Sequence, residues 1–299
     1  MSLAASHVNG WAFHAHPEVW VLMVAIIVGY WYVIVRVGPN VDRTTSDGTV
    51  EPVVTRRQMW SFVAGWAILW IGADYPMHDI GERYLFSVHM AQHMLFSLVA
   101  PALLLLGLPP WLQRRLWGSG WRAAVLRRMA QPLVAGGLYT AWLVFSHWPT
   151  AMDTALRHEP VHFLFHLALF STASLMWFPV FNRNPDLPRL KTPPARMVYV
   201  FMQSILPTVP AAFYTFADNV IYPFYAHVPR PFGLTAVSDQ QLAGAIMKTW
   251  GAIFLWGVIA VMFFRWTAAD ERDRKARRRV LTWDEVQTEL ERTKAPTAG

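Results

Sequence analysis

Residues 86–110, FSVHMAQHMLFSLVAPALLLLGLPP, form an apolar stretch with two histidines and two methionines close to its beginning. A transmembrane helix needs roughly 20 apolar residues in succession, and this stretch is long enough to supply them. Histidine is costly in a bilayer, and ionisable residues inside membrane segments usually belong to functional sites. The stretch therefore predicts a transmembrane helix that forms one side of a metal or cofactor site.

The composition of the whole chain is typical of an integral membrane protein. Of its 299 residues, 54% are hydrophobic and 15% are charged, whereas soluble domains contain about 25% charged residues. The net charge is +7, but the basic residues lie between apolar runs, where they orient a membrane chain and do not indicate nucleic acid as a partner. Because the sequence has no cysteine, a soft metal ion would need histidine or methionine ligands.

Seven segments are long and apolar enough to cross a membrane. In lipid each span must satisfy its own backbone hydrogen bonds, which favours helices over open strands. We therefore predict an all-α, polytopic membrane protein in which Pro207 and Pro210 kink or break the sixth span. Residues 1–267 would form the transmembrane domain and residues 268–299 a basic, mixed-charge cytoplasmic tail. The seven predicted spans are approximately 18–36, 59–76, 86–107, 132–148, 161–181, 197–217 and 242–265.

The distribution of lysine and arginine predicts the orientation of these spans. The loops after the first, third and fifth spans, together with the C-terminal end, contain 22 of the 26 basic residues. The opposite side has four, which are Arg83, Arg157, Arg230 and Lys248. Since basic residues concentrate in cytoplasmic loops, the N-terminus is predicted outside and the C-terminus in the cytoplasm.

This orientation places all eleven histidines on the outer side. They occupy the N-terminal segment, the external loops and the outer halves of the third and fifth spans, and no predicted cytoplasmic loop contains one. The asymmetry predicts an outward-facing site. The histidines are His7, His14, His16, His78, His89, His93, His147, His158, His162, His166 and His227.

Two pairs of histidines have a spacing of four residues, His89 with His93 and His162 with His166. Residues at this spacing project from one face of a helix. Both pairs can therefore point to a common centre, and we expect His93 and His166 to come within a few Å of each other. His158 continues the second pair by another four residues. The alternative for each histidine is a hydrogen-bonded packing role.

Methionines and polar residues adjoin the first pair. Met90 and Met94 form a parallel pair displaced by one residue, and Gln92 lies beside both histidines. Imidazole binds copper, iron, zinc and nickel, whereas thioether sulfur favours Cu(I). A set of histidines and methionines without cysteine therefore fits copper best. A carboxylate on the same predicted side could hold the second ring nitrogen of a ligating histidine. The candidates are Asp74, Asp79, Glu82, Asp153, Glu159, Asp218 and Asp239.

A second polar cluster, SDQQLAG, occupies residues 238–244 before the seventh span. Ser238 or Asp239 could cap the following helix. Alternatively, Asp239, Gln240 and Met247 could reach the histidines from the same side.

The run HMAQHMLFSLVAPALLLLGLPP (89–110) resembles the first histidine block of CtaG-type cytochrome c oxidase assembly factors, which are associated with caa3-type oxidases. Residues 146–180 and 239–250 are similar, in order and spacing, to two further blocks of that family. The resemblance covers about residues 15–265. It implies a multi-pass protein of the bacterial plasma (inner) membrane that helps to assemble a haem–copper oxidase and delivers copper to it. The implied partners are oxidase subunits and a periplasmic or extracellular copper chaperone.

By motif position, the resemblance also implies the residues of the site. The chain departs from the family pattern at Phe165, where we expect an acidic residue, and Glu159 could take over that role. The implied metal ligands are His89, His93, His162, His166, Met90, Met94, His158, His147 and Met247, supported by Gln92, Asp239, Gln240 and Glu159.

Other functions remain open at this stage. In a haem-binding membrane cytochrome or a haem-modifying protein, the histidine pairs would supply axial ligands from two facing helices. A transporter or a structural subunit is a third possibility, although the sequence shows neither repeated halves nor paired intramembrane charges. We predict no enzymatic activity, because nucleophile, phosphate-binding and paired-carboxylate motifs are absent from the sequence.

Overall fold

The computed structural model describes residues 8–44, 48–118, 120–184, 187–205, 207–277 and 283–294. Across these ranges the secondary structure is helical, and the one β-feature is an isolated bridge between Thr44 and Val50. The all-α prediction is thereby confirmed. His7 lies outside the described residues.

Fifteen α-helices make up the described chain, and many of them are short connecting helices. In chain order they are α1 (Pro17–Tyr32), α2 (Arg56–Ala73), α3 (Met77–Arg83), α4 (Phe86–Met94), α5 (Ala100–Gly107), α6 (Pro110–Trp117), α7 (Gly120–Met129), α8 (Pro132–Ser146), α9 (Pro149–Arg157), α10 (Glu159–Phe181), α11 (Pro193–Ile205), α12 (Thr208–Phe216), α13 (Pro223–His227), α14 (Ala236–Arg277) and α15 (Trp283–Lys294). A π-helical turn, Leu95–Val99, joins α4 to α5, and another, Val33–Val37, extends α1.

Five helical stretches are long and apolar enough to cross a membrane, which indicates a membrane protein. α8 is apolar but has only 15 residues, and α2, which begins with Arg56 and Arg57, does not meet the same criteria. Seven spans therefore remain a prediction. The five stretches are Pro17–Asn40, Phe86–Gly107, Glu159–Phe181, Pro193–Phe216 and Ala236–Ala276.

The sixth and seventh predicted segments differ in continuity. α11 is described to Ile205 and α12 begins at Thr208, with Pro207 in a turn before it, where the missing N–H of a proline predicts a kink or a break. α14, by contrast, continues for 42 residues and runs through the boundary predicted between residues 267 and 268.

The helix Phe86–Gly107 lies at the centre of the molecule. Its apolar window is 67% buried, against 17–39% for the other four candidate spans, and it packs against α2, α3, α10 and α14. Two glycines allow neighbouring helices to approach it closely. A Cβ at Gly65 of α2 would lie 2.9 Å from the Leu104 nitrogen, and one at Gly81 of α3 would lie 3.1 Å from the His89 backbone.

Asp239 of α14 fixes the beginning of this central helix. Its carboxylate accepts hydrogen bonds from the backbone N–H groups of Phe86 (2.8 Å) and Ser87 (3.0 Å), and it pairs with Arg230 at 3.2 Å. Negative charge at a helix N-terminus stabilises the unpaired N–H groups and the helix dipole. Asp239 thus serves as a cap, but for α4 and not for its own helix, and this contact holds the histidine-bearing turn in place.

Candidate metal centre

The two histidine pairs meet where α4 packs beside α10. Within each pair the ring centroids are 4.3 Å apart, since one helical turn separates the residues. Between the pairs, His89 lies 5.3 Å from His162, and His93 lies 5.1 Å from His166, measured between ring centroids. The Nε2 atoms of His93 and His166 are 3.2 Å apart. The four rings therefore surround one common centre, as their spacing predicts.

His147, which follows the last residue of α8, adds a fifth ring. Its centroid is 5.5 Å from that of His93. Its Nδ1–H donates to the Leu143 carbonyl oxygen at 2.8 Å, so the lone pair lies on Nε2. Tyr214 and Tyr222 donate their hydroxyls to the His147 carbonyl oxygen. The residue is therefore held with Nε2 free to accept a ligand bond.

The short helix α3 brings a sixth histidine and a carboxylate to the cluster. His78 lies 6.2 Å from His162 and 6.4 Å from His166 between ring centroids. Glu82 Oε1 is 2.6 Å from His162 Nδ1 and 3.0 Å from His78 Nε2. The carboxylate therefore lies beside Nδ1 of His162 and leaves Nε2 to the centre of the cluster, an arrangement common for metal-ligating histidines.

The proximity of these groups determines the charge on α3. Burial alone would raise the pKa of Glu82, but hydrogen bonds from His162 and His78 outweigh it and hold the pKa well below its ordinary value. Burial alone would lower the pKa of His78, but the hydrogen bond and the charge of Glu82 reverse the shift and raise it. The cluster therefore contains an ionised carboxylate on its outer side.

Several buried ring nitrogens of the cluster have no hydrogen-bond partner among the described residues. They are both nitrogens of His89, Nδ1 of His93, and Nε2 of His147 and His162. Leaving a buried polar group without a partner costs about 1–3 kcal/mol, and native proteins keep few such groups. They belong to four imidazoles around one centre, each of which can offer one lone pair, and this arrangement is consistent with a bound cation.

Two groups of side chains have the proximity that metal coordination requires. In each group one potential ligand atom per residue lies within 4.8 Å of the others. His89, His93 and His166 form the inner set, and His78, Glu82 and His166 form the outer set. Imidazole suits copper, zinc, iron and nickel, so the residues fit a transition-metal ion.

The remaining residues predicted for the site lie in other surroundings. Met90 and Met94 are fully buried in the main hydrophobic core. Met94 and Met247 line a small cavity of about 20 Å³. Gln240 donates to the Asn219 carbonyl oxygen and accepts from the Ile221 N–H, so that it holds a loop.

Gln92 holds the cluster to a neighbouring helix through its side-chain amide. Its side-chain Nε2 donates to the Gly72 carbonyl oxygen at 2.7 Å and lies 3.1 Å from Nδ1 of His78. It therefore connects α2 to the histidine of α3.

The start of α10 places His158 and Glu159 at the surface. Both are exposed, and neither belongs to the candidate ligand sets. Phe165 packs against Trp142 and Phe145 between α8 and α10. The carboxylate beside the second histidine pair is therefore that of Glu82, from a different helix.

In the sequence, Glu82 is one of seven candidate carboxylates, and His78 is expected in an external loop. A signal was nevertheless present, because His78 and Glu82 have the same four-residue spacing as the histidine pairs. Extending the search for such pairs from histidine to carboxylates would have identified α3.

The chain is similar to several known proteins. The cytochrome c oxidase caa3 assembly factor family matches residues 28–269. Uncharacterised proteins of Mycobacterium bovis and Mycobacterium tuberculosis are each 26% identical over 225 residues, or 69% of this chain and 34% of theirs. One of Mycobacterium leprae is 28% identical over 271 residues, or 83% of this chain and 38% of its own.

The chain thus spans between a third and two fifths of the length of these mycobacterial relatives. No solved structure matches it. The family match, in contrast, extends over most of the chain and includes the central helix, α3 and both histidine pairs. The chain therefore belongs to the cytochrome c oxidase caa3 assembly factor family.

Proposed function

We propose that this protein binds copper in the histidine cluster and supports its delivery to a haem–copper oxidase during assembly. One observation carries the proposal, namely the five buried ring nitrogens without hydrogen-bond partners around a single centre. The family is one of assembly factors for caa3-type cytochrome c oxidase. A binding role without catalysis is sufficient for this function, and the copper ion would be cargo.

The chemistry of the ligands favours copper among the transition metals. The chain has no cysteine, and the centre consists of imidazoles with one carboxylate at its edge. Among divalent first-row ions, copper binds nitrogen ligands most tightly. The buried imidazoles are neutral and bind a cation through their nitrogen lone pairs. The negative charge that stabilises the ion comes from Glu82.

The arrangement of the helices supports an outward-facing site in the bacterial plasma membrane. The histidines occupy the first two turns of α4 and α10 and the end of α8, together with α3. The arginines of α6 and α7 follow the opposite end of the central helix. With basic residues in the cytoplasm, seven spans put the cluster and the N-terminus outside. An external copper chaperone and the oxidase subunits could then reach it.

The spacing of the rings favours an ion over haem. The six imidazoles have neighbouring centroids only 4.3–6.4 Å apart. A porphyrin between axial histidines would have to fit between these rings, whereas an ion needs only the space at their centre. Purified protein is therefore expected to show no Soret band.

Metal analysis of the purified protein tests the proposal. Apo-protein in detergent is incubated with copper, freed of unbound ion by gel filtration, and assayed for copper per chain. We expect about one retained ion, and loss of retention in His89→Ala and in His93→Ala. His227→Ala, an exposed histidine outside the cluster, is the matched control. Retention that is unchanged in a double His93→Ala/His166→Ala variant would contradict the proposal.

A further inference from the structure

The inner and outer sets of the cluster have one residue in common, His166. A neutral imidazole has a single nitrogen lone pair, because its other nitrogen carries the proton. His166 can therefore complete only one set at a time as a neutral ligand. Two sets of three ligand atoms thus amount to two alternative positions for one ion.

The two sets differ in exposure. The inner set is buried, with His89 0% and His93 5% exposed. In the outer set the side chains of His78 and Glu82 are 20% and 22% exposed. The outer set is therefore the one that an ion arriving from the surface meets first.

The sets also differ in charge. Glu82 is an anionic ligand at the edge of the cluster, whereas the inner set is made of neutral imidazoles alone. A hydrated cation loses its water at the outer set against a carboxylate, which offsets part of the cost of burying charge. The ion can then exchange the ligands of the outer set for those of the inner set one at a time, while His166 remains bound to it.

The N-terminal segment continues the same series towards solvent. The ring of His16 packs 4.9 Å from that of His78 between centroids. His14 and His16 both lie 3.3 Å from Asp79 Oδ1 of α3. Imidazoles and carboxylates therefore extend from the surface to the outer set without interruption.

We propose that the cluster holds one copper ion at two successive positions, an outer set that admits it and an inner set that retains it, with His166 serving both in turn. The inference rests on the proposed function, because it assumes that the cluster binds copper. It assigns different roles to residues that would otherwise be equivalent ligands. His78 and Glu82 determine the rate of uptake, and His89 and His93 determine retention.

A kinetic experiment separates these roles. Apo-protein is mixed rapidly with Cu²⁺, and quenching of tryptophan fluorescence reports uptake, while gel filtration and metal analysis report retention. His78→Gln keeps a side-chain oxygen that can accept a hydrogen bond from Gln92. It is expected to lower the rate of uptake and to retain about one ion at equilibrium. His89→Ala is expected to show rapid initial quenching but to lose the ion on the column.

Glu82→Gln, a substitution of equal size, provides a second outer variant and should also slow uptake. His227→Ala should match the native protein in both measurements. If the native protein retained two ions per chain and His78→Gln retained only one, both sets would be occupied at once. That result would overturn the proposal that His166 serves the two sets in turn. Native-like uptake rates in both outer variants would overturn the entry role. These outcomes leave the proposed function intact, whereas a native protein that retains no copper would overturn both.

Discussion

The histidines and the methionines of α4 have the same spacing but lie in different surroundings. His89 and His93 face α10 and the end of α8, where their rings meet those of His147, His162 and His166. Met90 and Met94, one position further along the helix, belong to the hydrophobic core. One residue turns a side chain by about 100° around a helix, so adjacent pairs face different neighbours. Spacing alone therefore groups residues on one face, and only the packing partners decide whether that face binds an ion.

Substituting the histidines or the methionines should distinguish copper binding from core packing. The largest expected effect is on the copper retained per chain. The double variant His93→Ala/His166→Ala removes two ligands and is expected to retain no copper after gel filtration. Met90→Leu/Met94→Leu conserves volume, which costs little in a core, and should retain copper as the native protein does. Copper per chain measures both. Loss of copper in the methionine double variant would assign the methionines to the site.

The free energy of unfolding should depend on the two pairs in the opposite order, more on the methionines than on the histidines. Met90 is 0% exposed, and truncation of a buried methionine to alanine costs about 2–5 kcal/mol. We expect Met90→Ala to lower the free energy of unfolding by that amount, with copper stoichiometry unchanged at a temperature where the variant is folded. Denaturation followed by circular dichroism in detergent measures the change. An effect no larger than that of Met90→Leu would mean that the side chain is less tightly packed than its burial indicates.

An intermediate effect is expected at Asp239, which joins the two regions by capping α4. Asp239→Asn keeps the shape of the side chain but loses the charge opposite Arg230 and one acceptor for the N–H groups of Phe86 and Ser87. Leaving buried groups unpaired in this way costs about 1–3 kcal/mol. Amide hydrogen exchange at Phe86 and Ser87 should accelerate, while copper stoichiometry stays the same. Unchanged exchange at both amides would exclude the capping role.

The same contrast explains what the sequence could reveal. Each of the seven apolar segments contains a helix, and the spacing of His89, His93, His162 and His166 was enough to expect their convergence. The contribution of α3 could not be foreseen in the same way. Whether its seven residues reach the cluster depends on the close approach of Gly81 to the His89 backbone, a tertiary contact without a local pattern.

The helical pattern of the second pair ends before His158 for a related reason. A periodic pattern continues only as long as the helix does, and α10 begins at Glu159, with His158 in an extended conformation before it. Asp239 and Gln240 were placed on the correct helix, but their hydrogen bonds to α4 and to the loop at Ile221 involve partners distant in sequence. The residue types were informative about chemistry, whereas the chain path determined which of them meet.

The smallest effect is expected at His158 and Glu159, where the helical pattern of the second histidine pair ends. His158 and Glu159 are exposed at the start of α10, and His158, the N-cap residue, makes no side-chain capping hydrogen bond. Exposed substitutions of this kind usually change stability by less than about 0.5 kcal/mol. His158→Ala and Glu159→Gln should therefore match the native protein in copper per chain, uptake rate and unfolding free energy. A loss of copper in His158→Ala comparable to that in His89→Ala would extend the site along α10 and show that this turn can move towards the cluster.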